Sequence, residues 1–175
     1  MGLIDSNPDT YLPRESGALH TIDHAHAEIH EGNHYTFTHT VSVGTGTAVS
    51  VMIQAPATGE VHLVFGLQAN LAVTYIFEEG PTTTGGTAIV VQNNNRTSTT
   101  TSGTIVKHTV TYGTSLTILE NGLLGTGGNP SSRSGGSGAI RNEYILAPST
   151  RYGIKVAALA AATTVIVNGS FYVES

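Results

Sequence analysis

Apolar and hydroxyl-bearing residues alternate along much of the chain, most clearly over residues 35–43. In this stretch Tyr, Phe, His and Val occupy every second position, and Thr or Ser occupies the positions between them. Alternate side chains of a β-strand point to opposite faces of its sheet, so the pattern predicts a half-buried strand with a hydroxyl-rich outer face. Similar patterns predict further strands at residues 49–53, 61–67, 71–77, 88–92, 104–112, 116–120, 141–146 and 151–159.

The strongest turn signal is Asn168-Gly169, which separates the alternating runs 163–167 and 170–174. Asn-Gly is favoured in type I′ turns because both central residues of such a turn take positive φ. The pattern therefore predicts a β-hairpin that turns at these two residues. Glycine and proline residues separate the other runs, and about ten short strands with frequent turns are typical of an antiparallel β-sandwich or jelly roll. We predict an all-β fold of this class.

The first 34 residues differ from the rest of the chain. They hold all three Asp residues and five of the eight His residues, and Pro8, Pro13 and Gly17 interrupt their first part. We predict an extended N-terminal arm with a His-rich connection at residues 1–34, followed by a β-sandwich domain at residues 35–175. Residues 121–138 are rich in Gly and Ser, and this composition predicts a long surface loop.

Composition narrows the classes of partner that the protein can have. Only 11% of the 175 residues are charged and the net charge is -5, whereas an ordinary soluble domain has roughly 25% charged residues. The 7 Lys and Arg residues are scattered, so no basic stripe is present for a nucleic-acid partner. The apolar run at residues 156–162 is too short to cross a bilayer, and we expect no membrane partner. The absence of Cys excludes disulfides and thiolate metal sites.

The densest group of chemically active side chains lies at residues 23–31. On a strand, His24 and His26 would face the same side and could bind a divalent metal ion. This pair followed by Glu31 resembles the first motif of the cupin family, and residues 56–62 resemble its second motif. The resemblance implies a metal site at His24, His26, Glu31 and His62. The first motif precedes the strands that a cupin places ahead of it, so we favour an exposed polar connection, with a pH-sensitive contact as a further alternative.

Other catalytic arrangements have little support in the sequence. No Asp follows Asp23, so a Ser–His–Asp triad would need its acid from the arm. Glu78 and Glu79 are adjacent and would point to opposite faces of a strand, which excludes them as the facing carboxylates of a glycosidase. We predict a protein that is not an enzyme and that requires no cofactor.

A set of short motifs is spread in order over residues 26–174. Residues 26–35 read HAEIHEGNHY, and residues 74–80 read TYIFEEG. Three further motifs lie at residues 93–98, 143–154 and 171–174. In this order they resemble a family of small virion proteins of tailed bacteriophages, which look like head decoration, or cement, proteins. The resemblance implies a β-sandwich that forms a homotrimer, has no catalytic residues and has the major capsid protein as its partner.

The surface composition, taken without the resemblance, also indicates a protein that assembles with other protein surfaces. The outer positions of the predicted strands are mostly Thr, Ser and small residues, and such faces pack together without burying ions, which costs several kcal/mol each. The arm carries apolar residues that we expect to contact the capsid, namely Leu3, Ile4, Tyr11, Leu12, Leu19 and Ile22. We therefore expect a virion structural protein that assembles in the host cytoplasm and binds and stabilises the outer surface of the phage head.

Two other classes of protein stay open as alternatives. The first is a carbohydrate- or receptor-binding module of a phage fibre, in which Tyr11, Tyr112 and Tyr144 would stack on sugars. The absence of Trp and an aromatic content of 6% argue against this alternative. The second is a cupin-like metalloenzyme that uses the four metal ligands named above.

Overall fold

The computed structural model describes residues 12–13, 19–20, 24–114, 117–125, 143–159 and 161–174. Within these residues the chain forms one helix and three antiparallel sheets, the smallest of which pairs β1 (Leu12–Pro13) with β2 (Leu19–His20). The two larger sheets pack face to face. The predicted all-β antiparallel sandwich is therefore confirmed.

The helix and the strands of the sandwich follow one another from residue 24 onwards. The helix is α1 (His24–Glu31). The strands are β3 (His34–Val43), β4 (Ala48–Gln54), β5 (Glu60–Ala69), β6 (Val73–Glu79), β7 (Thr83–Ala88), β8 (Gln92–Asn93), β9 (Ile105–Tyr112), β10 (Thr117–Leu124), β11 (Tyr144–Leu146), β12 (Arg151–Ala158) and β13 (Thr163–Glu174). One sheet has six strands in the order β10-β6-β12-β4-β9-β7, and the other has five in the order β11-β5-β13-β3-β8.

The core lies between the two sheets and is built by the alternation seen in the sequence. In β3 and β13, every second residue points inward and most of these residues are apolar, and burial of these side chains from water is the main force that holds the layers together. The largest fully buried side chains include Phe37, Phe77 and Phe171, one or more from each sheet. The predicted inner face of residues 35–43 is confirmed by the burial of Tyr35, Phe37 and Val43.

The predicted C-terminal hairpin is wrong, because β13 runs unbroken for 12 residues through Asn168 and Gly169. Asn168 pairs with Thr38 on one side, and Gly169 lies directly opposite Phe37. A Cβ atom on Gly169 would overlap the Phe37 ring. Glycine is needed here to make room for an aromatic ring across the strand pair, so packing explains a dipeptide that local propensity assigns to a turn.

The predicted extended conformation of residues 24–31 is also wrong, because these residues form α1. Gly32 ends the helix with a φ of 81°, a conformation that glycine adopts without strain. Its amide donates to the Ile29 carbonyl at 3.1 Å, and the Asn33 amide donates to the Glu28 carbonyl at 2.9 Å. These two bonds satisfy carbonyls of the last helical turn, as in a glycine C-cap.

Two further boundaries differ from the predictions. Residues 88–92 are not one strand, because β7 ends at Ala88 in the six-stranded sheet and β8 begins at Gln92 in the five-stranded sheet. Residues 121–124 belong to β10 and not to a loop. A Cβ atom on Gly122 would lie 2.7 Å from Cε1 of Tyr75, so this glycine again admits a ring. The remainder of the predicted loop falls mostly on residues 126–142, outside the described residues.

A buried ion pair lies on the outer side of the six-stranded sheet. Phe77 points into the core, so the next side chain, Glu78, points outward, yet Glu78 is only 1% exposed. Lys155 Nζ lies 2.7 Å from Glu78 Oε1 and 4.6 Å from the centre of the Tyr112 ring. The Tyr112 ring in turn covers Gly153, where a Cβ atom would lie 2.5 Å from Cε1. The cation and the ring therefore cover a carboxylate that would be costly to bury alone.

We expect Gly169→Ala to lower the free energy of unfolding by about 2 kcal/mol, because the new methyl group meets the Phe37 ring. Phe37→Leu in the same chain should recover part of this loss, so the cost of the double variant should be below the sum of the two single costs. Urea unfolding measures all three values. Gly44→Ala, where the nearest atom is the Thr47 hydroxyl oxygen at 3.1 Å, is the control. A cost of the double variant equal to the sum of the two single costs would contradict the prediction.

We expect Lys155→Met to lower the free energy of unfolding by about 3 kcal/mol, because it leaves the Glu78 carboxylate buried without its cation. Lys107→Met, on β9 of the same sheet and separated from β12 by β4, should change it by less than about 1 kcal/mol. Chemical denaturation of the two variants checks the difference. Equal effects of the two substitutions would contradict the assigned role of Lys155.

Candidate functional site

A polar cluster occupies the outer face of the five-stranded sheet where β5 pairs with β13. Val61 is fully buried and Val173 packs on the core, so their neighbours Glu60, His62, Tyr172 and Glu174 point to the opposite face. The strand register places His62 opposite Tyr172 and Glu60 opposite Glu174. We refer to these four residues, together with His24, Glu28 and Glu143, as the His62 cluster.

The imidazole of His62 is held in one orientation by its neighbours. Its Nδ1 lies 3.1 Å from Oε1 of Glu143, and the Tyr172 hydroxyl donates to the same oxygen at 2.9 Å. The Tyr172 ring stacks on the imidazole, with 4.5 Å between ring centres and 11° between planes. These contacts leave the His62 side chain only 12% exposed.

The other ring nitrogen of His62 faces two carboxylates. His62 Nε2 is buried and has no hydrogen-bond partner, and it lies 3.6 Å from Oε2 of Glu174. One ligand atom from each of Glu60, His62 and Glu174 lies within 4.8 Å of the others. Imidazole nitrogen and carboxylate oxygen are the donors with which proteins bind zinc and similar ions. These three residues could therefore hold a metal.

Helix α1 covers one side of the cluster. His24 Nε2 lies 2.8 Å from Oε1 of Glu174, and the His24 ring meets the Tyr172 ring edge-on at 5.2 Å. Glu28 is buried on the same helix, and its Oε2 has no hydrogen-bond partner. Burial raises the pKa of Tyr172 well above its ordinary value, and its hydrogen bond to Glu143 and the charges of Glu143, Glu174 and Glu28 raise it further. Tyr172 therefore stays a hydrogen-bond donor at neutral pH.

The structure brings together two of the four metal ligands predicted from the sequence. His24 and His62 both contact Glu174, whereas His26 and Glu31 do not belong to the converging group. The prediction assumed a strand, but in a helix residues two apart point about 200° apart. His26 instead meets His30, one turn on, with 2.9 Å between their Nε2 atoms.

Two members of the converging group, Glu60 and Glu174, were missed by sequence reasoning. Glu60 lies two residues before His62 on the same strand face, which is a signal that the sequence contains. Glu174 lies more than a hundred residues away in the chain. It enters the group only through the pairing of β5 with β13, which local patterns do not reveal.

A second group of histidines lies between the two sheets. His39 of β3 stacks on His108 of β9, with 4.1 Å between ring centres and 21° between planes. The two rings line a cleft of about 410 Å³ together with residues 36–38, 88–90 and 92. Burial lowers the pKa of His39, and the proximity of His108 lowers it further. The sandwich therefore favours the neutral form of His39.

The predicted capsid-contact residues fall mostly outside the described residues. This applies to Leu3, Ile4, Tyr11 and Ile22, while Leu12 and Leu19 belong to β1 and β2 and only their backbone is described. The contact prediction for these six residues stays a prediction. Exposed apolar side chains that the sequence analysis did not single out occur on β10 and β11, namely Ile118, Leu119, Leu123 and Ile145.

We expect the free energy of unfolding to fall as the pH is lowered, because of His39. The pKa of His39 is lowered in the folded protein from its ordinary value of 6.5. Between the lowered pKa and 6.5, the unfolded chain binds more protons than the folded chain. The contribution of His39 to stability is therefore fully present above about pH 6.5 and declines below it. The decline levels off once the pH falls below the lowered pKa. His39→Gln should make the decline between about pH 7 and pH 5 shallower in urea unfolding.

The matched control for this prediction is Thr40→Gln, at an exposed position next to His39 on β3. It introduces the same side chain but removes no titrating group, so it should keep the pH dependence of the wild type. His34 supplies part of the remaining decline, because burial lowers its pKa as well. The same slope in His39→Gln and in the wild type would contradict the assignment.

Comparisons with known proteins assign neither of these sites. No family model, no curated protein and no solved structure matches the chain. A search of the described residues finds no helix with the length and apolar character that crossing a membrane requires.

Proposed function

We propose that the protein is a non-enzymatic virion structural protein that binds and stabilises the outer surface of an assembled phage head. The virion context is supported by the ordered motifs of residues 26–174 and their resemblance to decoration proteins. The observation that carries the assembly role is an apolar edge strand, β10, whose outer side pairs with no other strand among the described residues.

Strand β10 has the properties of a protein-binding edge. It is the outermost strand of the six-stranded sheet and runs for eight residues. Ile118 is 55% exposed and Leu123 is 61% exposed, with Leu119 between them at 37%. Unpaired backbone groups beside exposed apolar side chains form a template for a partner chain. A monomer left in this state would be prone to association.

The other edges of the sandwich are shorter or less regular than β10. Strand β7 carries Gly85 and Gly86 with φ values of 71° and 91°, which interrupt a regular strand. Strands β8 and β11 have two and three residues, too short to template a long pairing. Strand β10 has one irregularity of its own, a register shift against β6 between Ile118 and Glu120, and then pairs regularly from Glu120 to Leu124. Short and irregular edges are the usual means by which sheet proteins avoid association, so β10 is the edge with the longest regular stretch for a partner.

The β10 edge is also held rigidly before any partner binds. Glu120 accepts a hydrogen bond from the Tyr75 hydroxyl at 2.6 Å and a second one from the Tyr144 hydroxyl of β11. Burial, the hydrogen bond to Glu120 and the charge of Glu120 raise the pKa of Tyr75 to about 12. The Tyr75 phenol therefore remains a donor, and the bond from Tyr144 ties the edge of one sheet to the edge of the other. A preordered surface loses less entropy on binding.

Low surface charge supports the same conclusion. Within the described part of the chain, the ion pair between a Lys or Arg and a carboxylate is Lys155–Glu78, and Glu78 is buried within the domain. A partner surface can approach the sandwich without stripping water from many ions. Binding that occurs only on the assembled shell stabilises that shell by mass action. We propose that homotrimers bridge neighbouring copies of the major capsid protein, with residues 1–34 adding contacts.

The fibre alternative predicts that Tyr112 and Tyr144 stack on sugars, and the contacts of these two described tyrosines do not support it. The Tyr112 hydroxyl donates to the Val51 carbonyl at 2.7 Å, and its ring is sandwiched between Gly153 and the Lys155 ammonium. Tyr144 donates to Glu120, and its ring packs on Phe77 with 4.9 Å between centres. Both rings serve the packing of the sandwich itself.

We expect Leu123→Asp to abolish binding to the phage head, because a charge on the β10 edge would have to be desolvated in the interface. The test uses heads of the encoding phage assembled without this protein, incubated with purified wild type or variant and then sedimented. Val90→Asp is the matched control, since Val90 is also apolar and 70% exposed but lies between β7 and β8.

The wild type and Val90→Asp should sediment with the heads in a fixed ratio to capsid protein, and Leu123→Asp should stay in solution. Circular dichroism confirms that both variants are folded. Equal binding by Leu123→Asp would contradict the role of β10. Absence of the protein from purified virions, checked by mass spectrometry, would contradict the proposed function as a whole.

A further inference from the structure

The two ring nitrogens of His62 have different surroundings. Glu143 is a carboxylate and only accepts hydrogen bonds, so at 3.1 Å the Nδ1 atom of His62 is the donor. The Nε2 atom is buried and has no hydrogen-bond partner. It lies 3.6 Å from Oε2 of Glu174. The hydrogen bond at Nδ1 therefore leaves Nε2 available to a ligand that Glu174 could share.

The distance between these two atoms distinguishes a proton from a metal ion. A proton on Nε2 would form a hydrogen bond to Glu174, but 3.6 Å is beyond the 2.7–3.2 Å typical of such bonds. Zinc bonds to nitrogen and oxygen of about 2.0–2.2 Å, at a tetrahedral angle, separate the two ligand atoms by about 3.4 Å. The observed separation therefore fits two ligands of one metal ion.

The charge around His62 also favours a cation. Glu60, Glu143 and Glu174 all lie near the imidazole, and Glu28 is buried beside them. Within the described part of the chain, no Lys or Arg forms an ion pair with any of these four carboxylates. Several carboxylates around one ring nitrogen that has no hydrogen-bond partner produce a negative potential that attracts a divalent ion.

The residues behind the ligands are arranged to orient them. Glu143 accepts from His62 Nδ1, which is the carboxylate–histidine pairing found behind most metal-bound histidines. Tyr172 holds Glu143 through its hydroxyl. His24 lies 2.8 Å from Oε1 of Glu174, which leaves Oε2 to face His62. The ligand atoms of His62 and Glu174 are therefore both oriented by a supporting contact.

We propose that Glu60, His62 and Glu174 bind one divalent transition-metal ion, of which Zn²⁺ is the best match to one imidazole and two carboxylates. The imidazole disfavours Mg²⁺ and Ca²⁺, which prefer all-oxygen sites. The ion joins β5 to β13 and, through the contact of Glu174 with His24, attaches α1 to the sheet. Its role is structural, and the proposal does not depend on the capsid partner.

The test uses the full chain, purified without an affinity tag and stripped of metal with EDTA. Calorimetric titration with Zn²⁺ should show one ion per chain, and Mg²⁺ should show no binding. At a Zn²⁺ concentration of about 100 times Kd, Tm should rise by roughly 5–10 °C over the value in EDTA. His62→Gln and Glu174→Gln should each weaken Zn²⁺ binding at least tenfold, and Glu143→Gln should weaken it by about 10–100-fold.

The control variant removes the other pair of histidines on α1. His26 and His30 are exposed and their Nε2 atoms are 2.9 Å apart, so they could chelate zinc adventitiously. The double variant His26→Gln/His30→Gln should keep the tight site and the Tm shift. Loss of binding in this double variant, with normal binding in His62→Gln, would overturn the proposal. No Zn²⁺ binding by the wild type would overturn it as well.

A second variant tests the site even if His62→Gln fails to fold. Glu60 is exposed, so Glu60→Gln should keep the wild-type circular dichroism spectrum in EDTA even if His62→Gln does not. We expect Glu60→Gln to lose at least tenfold in Zn²⁺ affinity and most of the Tm shift. Wild-type affinity in a folded Glu60→Gln variant would exclude this carboxylate as a ligand and overturn the three-residue site.

Discussion

Burial of the apolar layer between the two sheets determines where every other group of the molecule lies. Because Val61 must point inward, the residues before and after it must point outward on the same face. The same constraint acts on β13, and the antiparallel register then places the outward residues of the two strands side by side. The four strand residues of the His62 cluster, Glu60, His62, Tyr172 and Glu174, are therefore placed together by core packing and need no local structure beyond a regular strand.

The period of two was sufficient to predict the class of fold and most strands, because strands such as β3, β5 and β13 bury one face. The period of two predicted the wrong structure at Gly169 and at residues 24–31. Gly169 has the sequence context of a turn, but the ring of Phe37 occupies the space that a side chain would need. Residues 24–31 alternate His and Ala and resemble a strand, yet Gly32 ends a helical turn there. In both cases the deciding contact comes from packing or from backbone geometry outside the local pattern.

The candidate site was harder to predict than the fold, because its members come from distant parts of the chain. His24 and His62 were identified through the resemblance of residues 24–31 and 56–62 to the two cupin motifs. In the structure, helix α1 directs His26 towards His30 and away from the cluster. The pairing of β5 with β13 places Glu174 beside His62. Long-range register is decided by the sum of many pairings, so no short motif reveals it. The apolar edge of β10 was missed for a related reason, since its exposure depends on being the last strand of its sheet.

The double hydrogen bond at Glu120 has a mechanical consequence. An edge strand that is joined to its sheet only by a ladder of backbone bonds can be peeled away one bond at a time. Here one carboxylate also holds a phenol from β6 and a phenol from β11. A pulling force applied to β10 would be shared between the two layers and resisted by sliding of the whole interior. On the proposed phage head, a shell that swells or carries internal pressure would then load the entire sandwich and not one strand.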